Sequence, residues 1–241
     1  MSAPEPAPLP ADARVSVVIP ALNEEESLPL VLAALPGDRV HEIVVVDNGS
    51  TDGTARVAVA AGARVVAELR RGYGQACLTG LAALDAPDVI AFVDADFSDH
   101  PEELSRVLAP VLENRADLVI GSRMIGDREP GAMLPQALFG NRLATLLIRL
   151  FWNVRFTDLG PFRAVRADAL ERIDMRDRDF GWTVEMQIRA AQLGLRCAEV
   201  PVSYRKRVGR SKITGTMIGT FRASHKILWT IFRAAARRGE R

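Results

Sequence analysis

Cysteine is nearly absent from this chain of 241 residues: Cys77 and Cys197 stand far apart, with no histidine or second cysteine at metal-ligand spacing. That excludes a disulfide-stapled scaffold, argues against a zinc site, and fits a reducing compartment. No apolar run reaches the ~18 residues needed to cross a bilayer. The opening MSAPEPAPLPADAR has no apolar stretch that could serve as a signal-peptide core, so residues 1–14 read as a disordered tail and a cytoplasmic location is expected. A P-loop is missing. Gly72-Tyr73-Gly74 is no dinucleotide fingerprint either, because Cys77 holds the third glycine position. These absences disfavour P-loop NTPases and NAD enzymes. What remains is ordinary for a globular protein, 48% hydrophobic and 25% charged, and long enough to bury a core without staples.

The net charge of +1 hides an asymmetry. From Ser203 onward there are eleven Lys and Arg against one acid, a net +10, so the remainder carries −9. A basic end on an acidic body points to phosphate, whether of a nucleotide, a lipid headgroup or a nucleic acid; a solvated surface helix would have the same composition.

Short β-branched runs alternate with amphipathic stretches through the first half. Strands are predicted at Val15–Pro20, Glu42–Val46, Ala63–Val66, Val89–Val93 and Asp117–Ile120. Helices are predicted near Glu24–Leu35, Asp52–Ala61, Gly74–Leu84 and Pro101–Leu112. This alternation implies an α/β domain with a mixed, mostly parallel sheet and flanking helices. Further on come a helix at Leu134–Trp152, a strand-like segment around Asp158–Val165, a helix near Thr183–Leu193, a strand at Cys197–Tyr204 and a final helix from about Thr216 to Arg237. The expected division is a single domain over 15–212 followed by a basic amphipathic helix over 213–241.

Parallel sheets bind ligands at the carboxyl ends of their strands. The residues there are polar. Asp94-Ala95-Asp96 follows an apolar strand, and two carboxylates so placed can hold one side of a divalent cation; a polar turn before the helix at Pro101 is the alternative. Asn23 and Glu26 have capping-box spacing, which would explain them structurally. Asp47 precedes the Asn-Gly turn and is left to accept from a nucleobase.

The series VSVVIPALNEEESLP, VVVDNGSTDGT, RGYGQA, FVDADFSDHPEEL, GSRM, DLGPFRAVRADAL, GWTVEMQIRAAQLGLRCAEVPVSYRKR and VGRSKITGT resembles the family-2 inverting glycosyltransferases of the GT-A fold, in the dolichyl-phosphate mannose synthase-like branch. The resemblance covers roughly residues 15–216. It implies a sugar donor of the UDP- or GDP-sugar type and a cofactor of Mg²⁺ or Mn²⁺. Pro20, Asn23, Glu24 and Asp47 would line the base pocket, and Arg71 and Gly72 would lie over the nucleotide. Asp94 and Asp96 would hold the metal, with Asp94 also within reach of the ribose. Arg123, Arg163, Arg210 and Lys212 would face the diphosphate or an acceptor phosphate. Asp158 and Arg163 would join Asp96 and Glu185 in the catalytic set.

Three positions depart from the mannose synthases, which usually carry Gln near Ser98, Gln at position 185 and Glu at position 187. Glu185, at the start of a helix behind Gly181, is therefore a candidate general base, which would suit a hydroxyl acceptor better than a phosphate; a first-turn Glu favoured by the helix dipole is the alternative. The expected partners are a nucleoside-diphosphate sugar and a polyprenyl-phosphate, lipid or other hydroxyl acceptor, with no nucleic acid. The final helix, with Met217, Phe221, Ser224, Leu228 and Ile231 on one stripe, is expected to lie on an anionic membrane at its inner face, or else to close the core or a homo-oligomer interface. A nucleotidyltransferase is a competing reading, but PALNEEE lacks its glycine-rich basic loop. A non-catalytic binding module would explain the basic end and leave the acidic strand ends unexplained.

Overall fold

The structure, a computed structural model, describes residues 7–209 and 217–237, with the side chains of the second segment described from Ser224 onward. Seven strands form one sheet: β1 (Val15–Ala21), β2 (Glu42–Asp47), β3 (Arg64–Ala67), β4 (Val89–Phe92), β5 (Leu118–Ser122), β6 (Arg163–Arg166) and β7 (Cys197–Pro201). Their spatial order is β3-β2-β1-β4-β6-β5-β7. Only β6 runs against its neighbours; the other pairings are parallel.

The helices are α1 (Leu28–Ala34), α2 (Thr54–Ala60), α3 (Tyr73–Ala83), α4 (Leu104–Leu112), α5 (Pro135–Trp152), α6 (Ala167–Ile173), α7 (Trp182–Gln192) and α8 (Met217–Ala236). The period-2 alternation of β1 assigns them to layers. Val15, Val17, Ile19 and Ala21 face a core shared with Leu28 and Val31 of α1, Ala58 of α2 and Leu104 and Val107 of α4. Val18 faces the other core, with Ala76 and Cys77 of α3, Leu170 and Ile173 of α6 and Trp182 and Met186 of α7. Trp182 meets Phe92 of β4 edge-to-face at 5.9 Å, a pairing worth about 0.5–1.5 kcal/mol beyond its area. Burial on both faces explains why these strands read as continuous apolar runs.

Two expected boundaries shift. The tail over 1–14 is tied down where it is described: Leu9 packs on the core, and Arg14 pairs with Asp85 at 2.8 Å while its backbone N–H donates to Asp88 Oδ2 at 2.8 Å. The C-terminal helix is likewise part of the domain. Ile231 of α8 is buried in a third cluster with Ile148 of α5 and Val184 and Ile188 of α7. The short helix α6 was not anticipated.

Candidate active site

Because β1, β2, β4 and β5 run the same way, their carboxyl ends open on one edge of the sheet. A cavity of about 370 Å³ lies there, lined by Pro20, Ala21, Leu22, Glu24, Asn48, Arg71, Gly72, Tyr73, Ala76, Asp94, Ala95, Asp96, Asp179, Phe180 and Arg207. That volume suits a small ligand.

The Asp94-Ala95-Asp96 pair is held in place by its neighbours. Tyr73 donates its hydroxyl to Asp94 Oδ1 at 3.0 Å. Burial pushes the Asp94 carboxyl up, against the opposing pull of the Tyr73 hydrogen bond and the Arg207 charge. Asp96 is buried; its Oδ1 accepts from the Ser98 backbone N–H at 2.9 Å and the Ser98 hydroxyl at 2.6 Å. Its Oδ2 carries the guanidinium of Arg207. The two carboxylates are hard oxygen donors, and one of them already supports a cation. They therefore fit Mg²⁺ or Mn²⁺, since Mg²⁺ takes only one or two protein carboxylates and completes its shell with phosphate and water.

The rim is built by two crossing loops. Asn48 donates from Nδ2 to the carbonyls of Glu68 and Arg70 and accepts the Gly72 N–H on Oδ1 at 3.0 Å, so β2 fixes the loop carrying Arg71. On Gly72 and Gly74 lies the segment 177–180, close enough that a Cβ at either glycine would collide with the carbonyls of Arg178 or Asp177. Gly72 also has φ +146°, open to glycine alone at little cost. This contact brings Asp179 and Phe180 into the cavity.

Pro20, Glu24, Arg71, Gly72, Asp94 and Asp96, all singled out in the sequence, line this one cavity. Several other expected residues do not. Asn23 has φ 54° and bridges loops, accepting the Thr51 N–H on Oδ1 at 2.7 Å, and α1 starts only at Leu28, so there is no capping box at 23–26. Asp47 Oδ1 closes its own turn by accepting the Ser50 N–H at 2.8 Å; Asn48 lines the cavity in its stead.

Arg123 is committed to Asp158, donating from its backbone N, Nε and Nη2 at 2.8, 2.8 and 2.7 Å. Asp158 is fully buried; burial pushes its carboxyl up, but the charge and hydrogen bonds of Arg123 outweigh that and hold it below the usual range. Arg163 is also fully buried and donates to the carbonyls of Leu159, Gly160 and Thr183; burial lowers it to about 10, so it stays charged. None of these three lines that cavity. Glu185 does not reach the cavity either. Its Oε2 accepts the backbone N–H groups of Arg176 and Asp177 at 3.0 and 2.7 Å, which removes the ground for a base and makes it an anchor of the 177–180 loop. Arg210 and Lys212 lie outside the described residues.

The sequence reading missed Asn48, Tyr73, Asp179, Phe180 and Arg207. Asn48, Tyr73 and Arg207 sit inside motifs already singled out, whereas Asp179-Phe180 lies just outside them; Arg207 and Asp179-Phe180 enter the cavity through loop packing.

The model of the family described as "Glycosyl transferase family 2" matches residues 16–174, the stretch that supplies every cavity-lining residue except Asp179, Phe180 and Arg207. An uncharacterised glycosyltransferase of Mycobacterium tuberculosis is 41% identical over 209 residues, covering 86% of this chain and 92% of its own. An undecaprenyl-phosphate mannosyltransferase of Micrococcus luteus is 37% identical over 225 residues, covering 86% of this chain and 90% of its own. Among solved structures, glucosyl-3-phosphoglycerate synthase from M. tuberculosis, in complex with Mn²⁺, uridine diphosphate and glucosyl-3-phosphoglycerate, superposes with a TM-score of 0.76 at 26% identity, over 94% of this chain and 81% of that one. Strand-end carboxylates on a mostly parallel sheet, the matched family model and full-length relatives agree: the chain belongs to glycosyl transferase family 2.

Proposed function

We propose that this glycosyltransferase moves a sugar from a UDP- or GDP-sugar to a polyprenyl phosphate, with inversion at the anomeric carbon. The observation that carries the reading is the Asp94–Asp96 pair beside Arg71 and Arg207 in one cavity. Asp94 and Asp96 would hold Mg²⁺ or Mn²⁺, which when bound supplies positive charge against the leaving diphosphate. The acceptor oxygen forms its bond to the anomeric carbon as the bond to the diphosphate breaks, and the electron pair leaves with the diphosphate. Arg71 and Arg207 would stabilise that developing charge. Pro20, Glu24 and Asn48 would bound the nucleotide end.

A phosphate acceptor is favoured because it is already anionic and needs no general base, and Glu185 is occupied elsewhere. The name of the M. luteus relative agrees. Such an acceptor sits in a membrane, and a suitable surface exists. Neither α5 nor α8 contains a single Asp or Glu. The two pack together, with Phe151 and Phe232 at 6.0 Å, and expose Phe139, Leu146, Leu150 and Trp229 beside exposed Arg142, Arg149 and Arg233. An apolar surface ringed by cations suits an anionic bilayer. Among the described residues no helix is long and apolar enough to cross a membrane.

Incubation with labelled UDP- and GDP-sugars, Mn²⁺ and vesicles containing polyprenyl phosphate tests the reading. Label should move to the lipid phosphate, and free polyprenol should not replace it. Transfer only to free hydroxyl compounds would contradict the acceptor assignment. Sedimentation with phosphatidylglycerol vesicles at low salt, lost in a W229E/F232E variant, tests the surface. Substitution is preferable to truncation because Ile231 is buried.

A further inference from the structure

We propose that Arg207 occupies the cation's seat on Asp96 until a metal–diphosphate complex arrives, and so makes metal binding conditional on the nucleotide. This rests on the donor-site reading above.

The segment carrying Arg207 is laid along the metal loop by backbone hydrogen bonds: the Arg205 N–H donates to the Ser98 carbonyl at 2.9 Å and the Val208 N–H to the Asp96 carbonyl at 3.0 Å. Arg205 fixes it further, with its guanidinium stacked 3.7 Å from the centre of the Phe97 ring and donating to the Asp99 carbonyl at 3.1 Å. The backbone is thus held at both sides of Arg207. Its guanidinium is the part that can move, since its side chain is 31% exposed and lines the cavity.

Two buried-edge carboxylates, Asp94 and Asp96, leave an excess of negative charge that Arg207 balances. A bare divalent ion entering there would have to expel the guanidinium with no new anion to receive it. A metal ion arriving with a diphosphate supplies that anion, and Arg207 can exchange a carboxylate for a phosphate within the same cavity. Metal and nucleotide are then coupled through one side chain, and the coupling is reciprocal.

The test is Mn²⁺ binding, followed by the electron paramagnetic resonance of free Mn²⁺, alone and with UDP or GDP, in the full chain and its R207M, R207K and R71M variants, each checked by its melting temperature. Wild type should bind Mn²⁺ weakly alone and about tenfold or more tightly with diphosphate, within the usual range of coupling. R207M should bind Mn²⁺ alone about tenfold more tightly than wild type, with much of the coupling lost. R207K, which keeps a cation within reach, should stay near wild type. Arg71 shares the cavity without touching Asp96, so R71M should leave binding of the metal alone close to wild type. Equal gains in R207M and R71M, or none in R207M while diphosphate still strengthens binding, would overturn the latch and leave the donor site standing. Absence of Mn²⁺ binding in every protein, even with diphosphate, would overturn both.

Discussion

Lys226 of α8 places its Nζ 2.8 Å from Oδ2 of Asp177, a side chain only 8% exposed. The same carboxylate accepts the backbone N–H groups of Asp179 and Gly181 on Oδ1, at 2.8 and 3.1 Å. The basic C-terminal helix is therefore tied to the loop that lies on Gly72 and Gly74 and delivers Asp179 and Phe180 to the cavity.

Loosening that tie should be felt at the donor. K226M is expected to raise KM for the nucleotide sugar by up to about tenfold, the equivalent of roughly 1.4 kcal/mol, with a smaller change in kcat. Initial rates over a donor concentration series measure both. An unchanged KM would mean that the 177–180 loop is held without α8.

The Arg123–Asp158 pair is an internal strut, and its loss should register as stability first. Asp158 is fully buried and satisfied on both oxygens by Arg123, so D158N strands a nearly buried guanidinium. The expected cost is about 3–5 kcal/mol in urea unfolding, a large share of the 5–15 kcal/mol typical of a domain. A double replacement by apolar residues of similar volume should cost less than D158N alone. A loss below about 1 kcal/mol in D158N would return Asp158 to the list of residues free for chemistry.

Asp99 supplies a pH signature. It is buried, neither carboxylate oxygen has a hydrogen-bond partner, and burial together with the charge of Asp94 pushes its carboxyl up to about 7. In the folded chain it keeps a proton that the unfolded chain releases above about pH 4. Its contribution to stability is thus fully present below about pH 4 and is lost as pH rises through 7. D99N, which cannot ionise, should flatten that decline: between pH 5 and 8 its melting temperature should fall less than that of wild type, at about 2–4 °C for each kcal/mol recovered. Parallel curves for the two proteins would show that Asp99 is ionised throughout.

The sheet was legible because its inner strands are buried on both faces, so β-branched runs such as EIVVV and VIAFV mark them. The Asp94–Asp96 pair stood out for a related reason: acids directly after such a run have no packing role to explain them. Charged residues deeper in the fold were misread. Arg163 and Glu185 are spent on backbone groups and Asp158 on Arg123, and sequence cannot separate a buried strut from a side chain aimed at ligand. Arg207 failed in the opposite direction. It was one of eleven basic residues in a solvated-looking stretch, and only the backbone pairing of 205–208 with 96–98 brings it to Asp96.

The most direct measurement is turnover of D96N against wild type, with and without EDTA. Asp96 sits at a strand end, and its Ser98 hydrogen bonds can be kept by an Asn oxygen, so the variant should fold with a near-native melting temperature. Its rate of nucleoside-diphosphate release from the sugar nucleotide should fall by roughly 10²–10³-fold, the size expected when a group that stabilises developing charge is removed. EDTA should bring wild type down to a similar rate. A D96N protein that turns over as fast as wild type, and equally fast in EDTA, would contradict a donor site built on this carboxylate.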